Sequence, residues 1–276
     1  MKETIFFLEG RGGLYLYQFF IYNLGGLNNI LNNKYSVRGP TNTSVLFDDL
    51  QKLTPYPTIP ISFPIKIHMK HVIPFQREAF EIIKDLFILI EDLSTIPEYE
   101  IISIYGETCI HSPYGDNNKI MFPFVRNLFL DKIPHNTNNK RRILITRKGS
   151  ENQHGGVLKR CILNEDEIIQ QLNHFRIERI QLESYSMKDK IQLFRESELI
   201  ISSHSGSLTL LLFVNTQTTI IELLNKNMDG IPKNHYLNMS NILGIKYNKY
   251  SDFNEDSNGN FELNSEKFSK YLSTII

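Results

Sequence analysis

The sequence predicts an α/β chain with parallel sheets and helices on both sheet faces, arranged as two Rossmann-like, doubly wound domains. Three observations carry this reading. Apolar strand-like runs alternate with helix-like segments at βαβ spacing through the second half. A polar stretch over residues 131–140, with Pro134 and three asparagines, reads as an interdomain linker. The 276 residues suffice for two small domains, each with its own core. The expected domains are residues 1–135 and 141–276.

The second half is the more regular. Arg141-Arg142-Ile143-Leu144-Ile145-Thr146-Arg147 is a basic-flanked apolar strand. A polar loop continues to residue 163. Asn164 reads as a helix N-cap, with Glu167 three residues on completing a capping box. The helix carries Ile168, Ile169 and Leu172. Residues 176–183 read as a strand and residues 186–197 as a helix with Ile191 and Phe194 on its apolar side. Residues 198–203 form a strand with a continuous apolar centre. Residues 205–213 read as a helix, 218–224 as a buried strand, and 236–243 and 265–275 as further helices, with a polar loop at 254–260.

The first half is less regular. Residues 4–8 read as a strand, followed by the turn Glu9-Gly10-Arg11-Gly12-Gly13. Residues 14–31 have a helical apolar pattern. A section rich in turns contains Pro55, Pro57, Pro60 and Pro64. Residues 75–93 read as one helix, 99–105 as a strand and 118–129 as a helix.

Composition narrows the function. Lys+Arg and Asp+Glu are equal at 30 each, so the formal net charge is zero. No basic excess marks a nucleic-acid partner. Two cysteines, Cys109 and Cys161, are too few for a disulfide scaffold. No apolar run approaches the roughly 20 residues of a membrane span, and no targeting segment is read. The expected location is cytoplasmic.

Chemistry concentrates in Ser202-Ser203-His204-Ser205-Gly206-Ser207-Leu208-Thr209. A buried strand ends there and a helix opens at once with small residues. Small residues let a ligand approach the backbone, and first-turn N–H groups favour an anion. A diphosphate at the carboxyl edge of a parallel sheet fits this pattern, and so does a simple βα turn with a half-buried histidine. Glu222, ending an apolar strand, could accept hydrogen bonds from two ribose hydroxyls or cap a loop. Arg147 and Arg160 could neutralise phosphate charge or remain solvated. Gly12 and Gly13 belong to a glycine cluster that lacks a dinucleotide fingerprint.

The ordered set of Arg142 to Arg147, Arg160, Asn164-Glu165, Ile191 to Phe194, His204 to Phe213 and Ile220-Ile221-Glu222 resembles glycosyltransferase family 61. Ser205 stands where that family has Gly, Gly206 where it has Ala, and Leu210 where it has Asn. A Ser-Gly order still allows a tight anion loop, whereas Leu210 removes one polar contact. Near the first helix, Tyr17 stands where the family has His. Ile110-His111-Ser112-Pro113 is a weaker match.

The resemblance implies a GT-B arrangement of two domains facing a cleft. The second domain would hold a nucleotide-sugar, with a UDP-sugar the expected donor, through Arg147, Arg160, His204, Ser205, Gly206, Ser207, Thr209 and Glu222. Gly12 and Gly13 would line the other side. The acceptor would be a glycan or protein hydroxyl, transfer would invert the anomeric carbon, and no cofactor is implied. The sequence lacks Asp-x-Asp, the usual metal–diphosphate signature. Inversion needs one general base, for which Glu9 and His111 are the candidates, followed by Asp48, Asp49, His68 and His71. Two other readings stay open: a nucleotide-sugar-binding protein without catalysis, and a Rossmann-like interaction module.

Overall fold

A computed structural model describes residues 3–9, positions 20, 24, 27 and 31, and residues 63–69, 72–105, 117–134, 140–149, 160–224 and 234–276. The chain forms two compact units, Met1–Lys132 and Ile133–Ile276. Each carries its own parallel sheet, so the α/β class and the parallel pairing are as the sequence predicts. No described helix is long and apolar enough to cross a membrane.

In the first unit, strands β1 (Glu3–Glu9), β2 (Ile65–His68), β3 (Phe87–Ile90) and β4 (Tyr99–Tyr105) lie in the order β3-β2-β1-β4. Helix α1 (Pro74–Ile82) starts with proline at its first turn, where a missing N–H costs nothing. The buried Gln76 side chain reaches back and accepts from Ile73 N at 2.9 Å. Helix α2 (Asn117–Leu130) buries Met121, Phe122, Val125 and Phe129 along one side.

Two expectations for this unit are corrected. Residues 75–93 are not one helix. The helix ends at Ile82, a turn closes as Phe87 N donates to Ile83 O at 3.0 Å, and Phe87-Ile88-Leu89-Ile90 pairs with β2. A short apolar run has no periodicity that separates helix from strand, and here the ladder decided it. Strand β2, directly after Pro64, emerges from a section expected to hold only turns.

In the second unit, strands β5 (Arg141–Ile145), β6 (Ile177–Ile180), β7 (Ser197–Ser203), β8 (Thr219–Leu223) and β9 (Lys246–Tyr250) lie in the order β6-β5-β7-β8-β9. The helices are α3 (Glu165–Gln171), α4 (Met187–Arg195), α5 (His235–Leu243) and α6 (Ser265–Ser273). Side chains alternate across the sheet. Leu144, Leu199, Ile201, Ile221 and Leu223 join one core cluster with Ile168 and Leu172 of α3 and Phe268 and Leu272 of α6. Ile143, Ile145, Ile200 and Ile220 alternate with them and are also buried, so both faces are covered.

Several details depart from the sequence reading. Strand β6 has four residues and gives way to a 3-10 turn at Leu182–Ser184. The segment expected as a helix over 205–213 is a 3-10 helix, Gly206–Phe213. Six consecutive residues from Leu208 to Phe213 are buried, which an amphipathic α-helix would not allow. Asn164 makes no capping bond. Its Oδ1 accepts from Leu263 N at 3.1 Å and its Nδ2 donates to Leu263 O at 2.9 Å. Glu167 accepts from Ser265 Oγ instead of closing a capping box. Strand β9 was not anticipated, because its polar run shows no apolar alternation and it lies on the sheet edge.

Candidate functional site

Strand order singles out one edge of the second sheet. Numbered within its own unit, the second sheet runs 2-1-3-4-5, and the order reverses between β5 and β7. Ligands bind open parallel sheets outside the carboxyl ends of the strands at such a reversal. The two strands pair in register from Arg142↔Leu199 to Ile145↔Ser202. The residues just past their carboxyl ends are therefore adjacent: Thr146 and Arg147 after β5, His204 and Ser205 after β7.

His204 is buried with a hydrogen-bonded ring. Its backbone N–H extends the β7–β8 ladder by donating to Leu223 O at 3.2 Å. Its Nδ1–H donates to Glu222 Oε1 at 2.5 Å, and the Tyr236 ring lies 5.4 Å away. This bond fixes the tautomer and leaves Nε2 as the ring nitrogen available to a ligand. Glu222 Oε2 accepts from the Tyr247 hydroxyl. Glu222 is 1% exposed, with each oxygen engaged by a protein donor. It acts as the anchor of His204, where the sequence suggested an acceptor for ribose hydroxyls.

The loop after His204 is held from two sides. Ser205 O accepts from Tyr236 Oη at 2.7 Å and from Leu208 N at 3.1 Å. The Ser205 and Ser207 hydroxyls lie 2.5 Å apart. A Cβ placed on Gly206 would meet nothing within 4 Å, so its backbone is open to approach. Thr209 is fully buried.

Two guanidiniums join this edge. Arg147 and Arg160 are half-buried, and Arg160 Nη1 donates to His204 O at 3.0 Å. Burial holds the Arg147 pKa below its ordinary value, and the like charge of Arg160 adds to the effect. Burial likewise lowers that of Arg160, opposed by attraction to Glu255, Glu222 and Tyr236. Two crowded, partly desolvated cations favour an anion between them.

The turn carrying Arg147 has its own support. Thr146 Oγ1 donates to Glu165 Oε2 at 2.8 Å and accepts from Lys148 N at 3.0 Å. Glu165 is 1% exposed, and its Oε1 lies 3.6 Å from Arg179 Nη1. Burial pushes its pKa up, against the Thr146 hydrogen bond and the Arg179 charge.

In the first unit, Glu9 ends β1 in register with Tyr105 at the end of β4, where that sheet's order also reverses. His68 ends β2, donates from Nδ1 to Ile90 O at 2.7 Å and stacks on Phe7. Gly12, Gly13, His111, Asp48, Asp49, His71, Tyr17 and Cys109 lie outside the described residues.

Tyr236, Tyr247 and Glu255 were not anticipated from sequence. Tyr247 becomes visible only once β9 is paired with β8, where it lies opposite Ile220, two residues from Glu222.

No curated protein matches the chain. The model of the glycosyltransferase 61 family matches residues 92–221, a span that holds Arg147, Arg160 and the His204–Thr209 loop and stops one residue before Glu222. Over that span, just under half of its length, the chain is similar to the glycosyltransferase 61 family.

Proposed function

We propose that the protein is an inverting, metal-independent glycosyltransferase of the GT-B type that transfers a sugar from a UDP-sugar to a glycan or protein hydroxyl. One observation carries the donor site: Arg147, Arg160 and His204 converge where the second sheet reverses its strand order. Such an edge suits a diphosphate, which needs cationic and N–H donors and a close backbone approach. Gly206 supplies the approach, and the N–H groups opening the Gly206–Phe213 helix supply further donors.

In this reading the acceptor oxygen attacks the anomeric carbon as the bond to the β-phosphate oxygen breaks. UDP leaves with the bonding electrons, and its charge is met by Arg147, Arg160 and the Nε2 side of His204. Glu222 holds the His204 ring in place. The acceptor's proton goes to a general base, with Glu9 or His111 assigned that role, and Gly12 and Gly13 are assigned to substrate binding.

The test is turnover. The protein is incubated with a panel of UDP-sugars and with glycan and peptide acceptors, in the presence of EDTA. The expected product is a glycoside of inverted anomeric configuration, with UDP released. A product that retains the donor configuration would overturn the mechanism.

A further inference from the structure

Arg160 is held by a loop that lies beyond the family-matched segment. Its backbone sits at φ 54°, in the left-handed region that a residue with a Cβ avoids. Such a conformation persists where the surroundings fix it, and it concentrates at ligand clamps.

The fixing groups come from residues 255–261. Cys161 N, the first amide after Arg160, donates to Asn260 Oδ1 at 3.1 Å. Phe261 N donates to Cys161 O at 3.0 Å, and Leu163 N donates to Phe261 O at 2.8 Å. The Asn260 amide is itself oriented. Its Nδ2 donates to Asp256 Oδ2 at 3.3 Å, while Asp256 Oδ1 accepts from the backbone of Asn258 and Asn260 at 2.8 Å each. Turning that amide over would set oxygen against carboxylate and NH2 against N–H, so one orientation is selected. At its far end the guanidinium is tied to His204 O.

We propose that Asn260, oriented by Asp256, is a positioning residue that sets the Arg160 guanidinium for binding a diphosphate. The inference rests on the donor-site reading above. Neither residue needs to touch the ligand. Their effect runs through the backbone of Cys161 to the conformation of Arg160.

A double-mutant cycle tests this, with UDP and inorganic pyrophosphate as probes in calorimetry on the full chain. Asn260→Ala removes one oriented hydrogen bond and is expected to weaken UDP binding about three- to tenfold. In an Arg160→Ala background the same substitution is expected to change nothing further. A merely structural role would lower thermal stability without this loss of effect. Asp256→Ala, in an exposed turn, should act in the same direction and serves if Asn260→Ala does not fold. An equal loss with and without Arg160, or no loss in either variant while Arg160→Ala itself weakens UDP binding, overturns the proposal. Wild-type protein that binds neither probe overturns the donor-site reading, and this inference with it.

Discussion

His204 and Glu222 form a buried pair, Nδ1 to Oε1 at 2.5 Å, that ties the end of β7 to β8. The pair makes Glu222 a structural partner of His204. Removing its carboxylate leaves the His204 Nδ1–H and the Tyr247 hydroxyl without their acceptor. Glu222→Ala is therefore expected to destabilise the fold by about 1–3 kcal/mol, the cost of stranding buried donors. Glu222→Gln keeps the shape but no longer fixes the tautomer. It should fold and bind UDP about three- to tenfold more weakly. Chemical denaturation and calorimetry check the two effects separately. Wild-type affinity in Glu222→Gln would remove the orienting role.

Arg147 and Arg160 offer a test of binding through thermal stability. Two half-buried like charges repel when no anion lies between them. Arg147→Met keeps most of the apolar stem and removes one charge. UDP should raise the melting temperature of the wild type and scarcely that of the variant, since a ligand stabilises only the state it binds. Full protection of the variant by UDP would contradict this.

Glu165 gives a pH dependence with a definite sign. Its folded pKa is raised, first by burial, above the ordinary glutamate range near ~4.3. Between the unfolded and folded values the native state holds the extra proton. Stability from this group is thus fully present below the unfolded value and is lost as pH rises through the folded one. Glu165→Gln removes the ionisation. The variant should gain on the wild type in urea denaturation as pH rises from about 4 to 7. Parallel profiles for the two proteins would show that Glu165 ionises at no cost in the fold.

Metal removal is a further chemical test. Arg147, Arg160 and His204 carry the diphosphate charge in the proposed mechanism, so turnover should persist after dialysis against EDTA. Loss of turnover restored by Mn²⁺ would show that a cation performs that task.

The second unit was largely legible in the sequence. Leu199-Ile200-Ile201 and Ile220-Ile221 are continuous apolar runs because both sheet faces are covered, and that pattern survives without any knowledge of pairing. The placement of Arg147, Arg160 and His204 at one sheet edge is legible for a similar reason, since each comes after a recognisable strand or loop. Partnerships were not. Glu222 meets Tyr247 only because β9 pairs with β8, and β9 is polar enough to look like loop. Locally Asn164 reads as a cap, but its amide bonds Leu263, 99 residues away. In the first unit, α1 and β3 merge into one predicted helix because the apolar residues of a short edge strand continue a helical pattern.

The most direct test of the donor site is calorimetric titration of UDP into the wild type and into folded Arg147→Ala and His204→Ala. In the proposed donor site each substitution removes a charge-assisted or polar contact to phosphate, worth about 1.5–3 kcal/mol for a charged partner. The expected result is measurable UDP binding by the wild type and affinities lower by about ten- to a hundredfold in both variants. Unchanged UDP affinity in both variants would place the nucleotide elsewhere and contradict the assignment of the β5–β7 edge as the donor site.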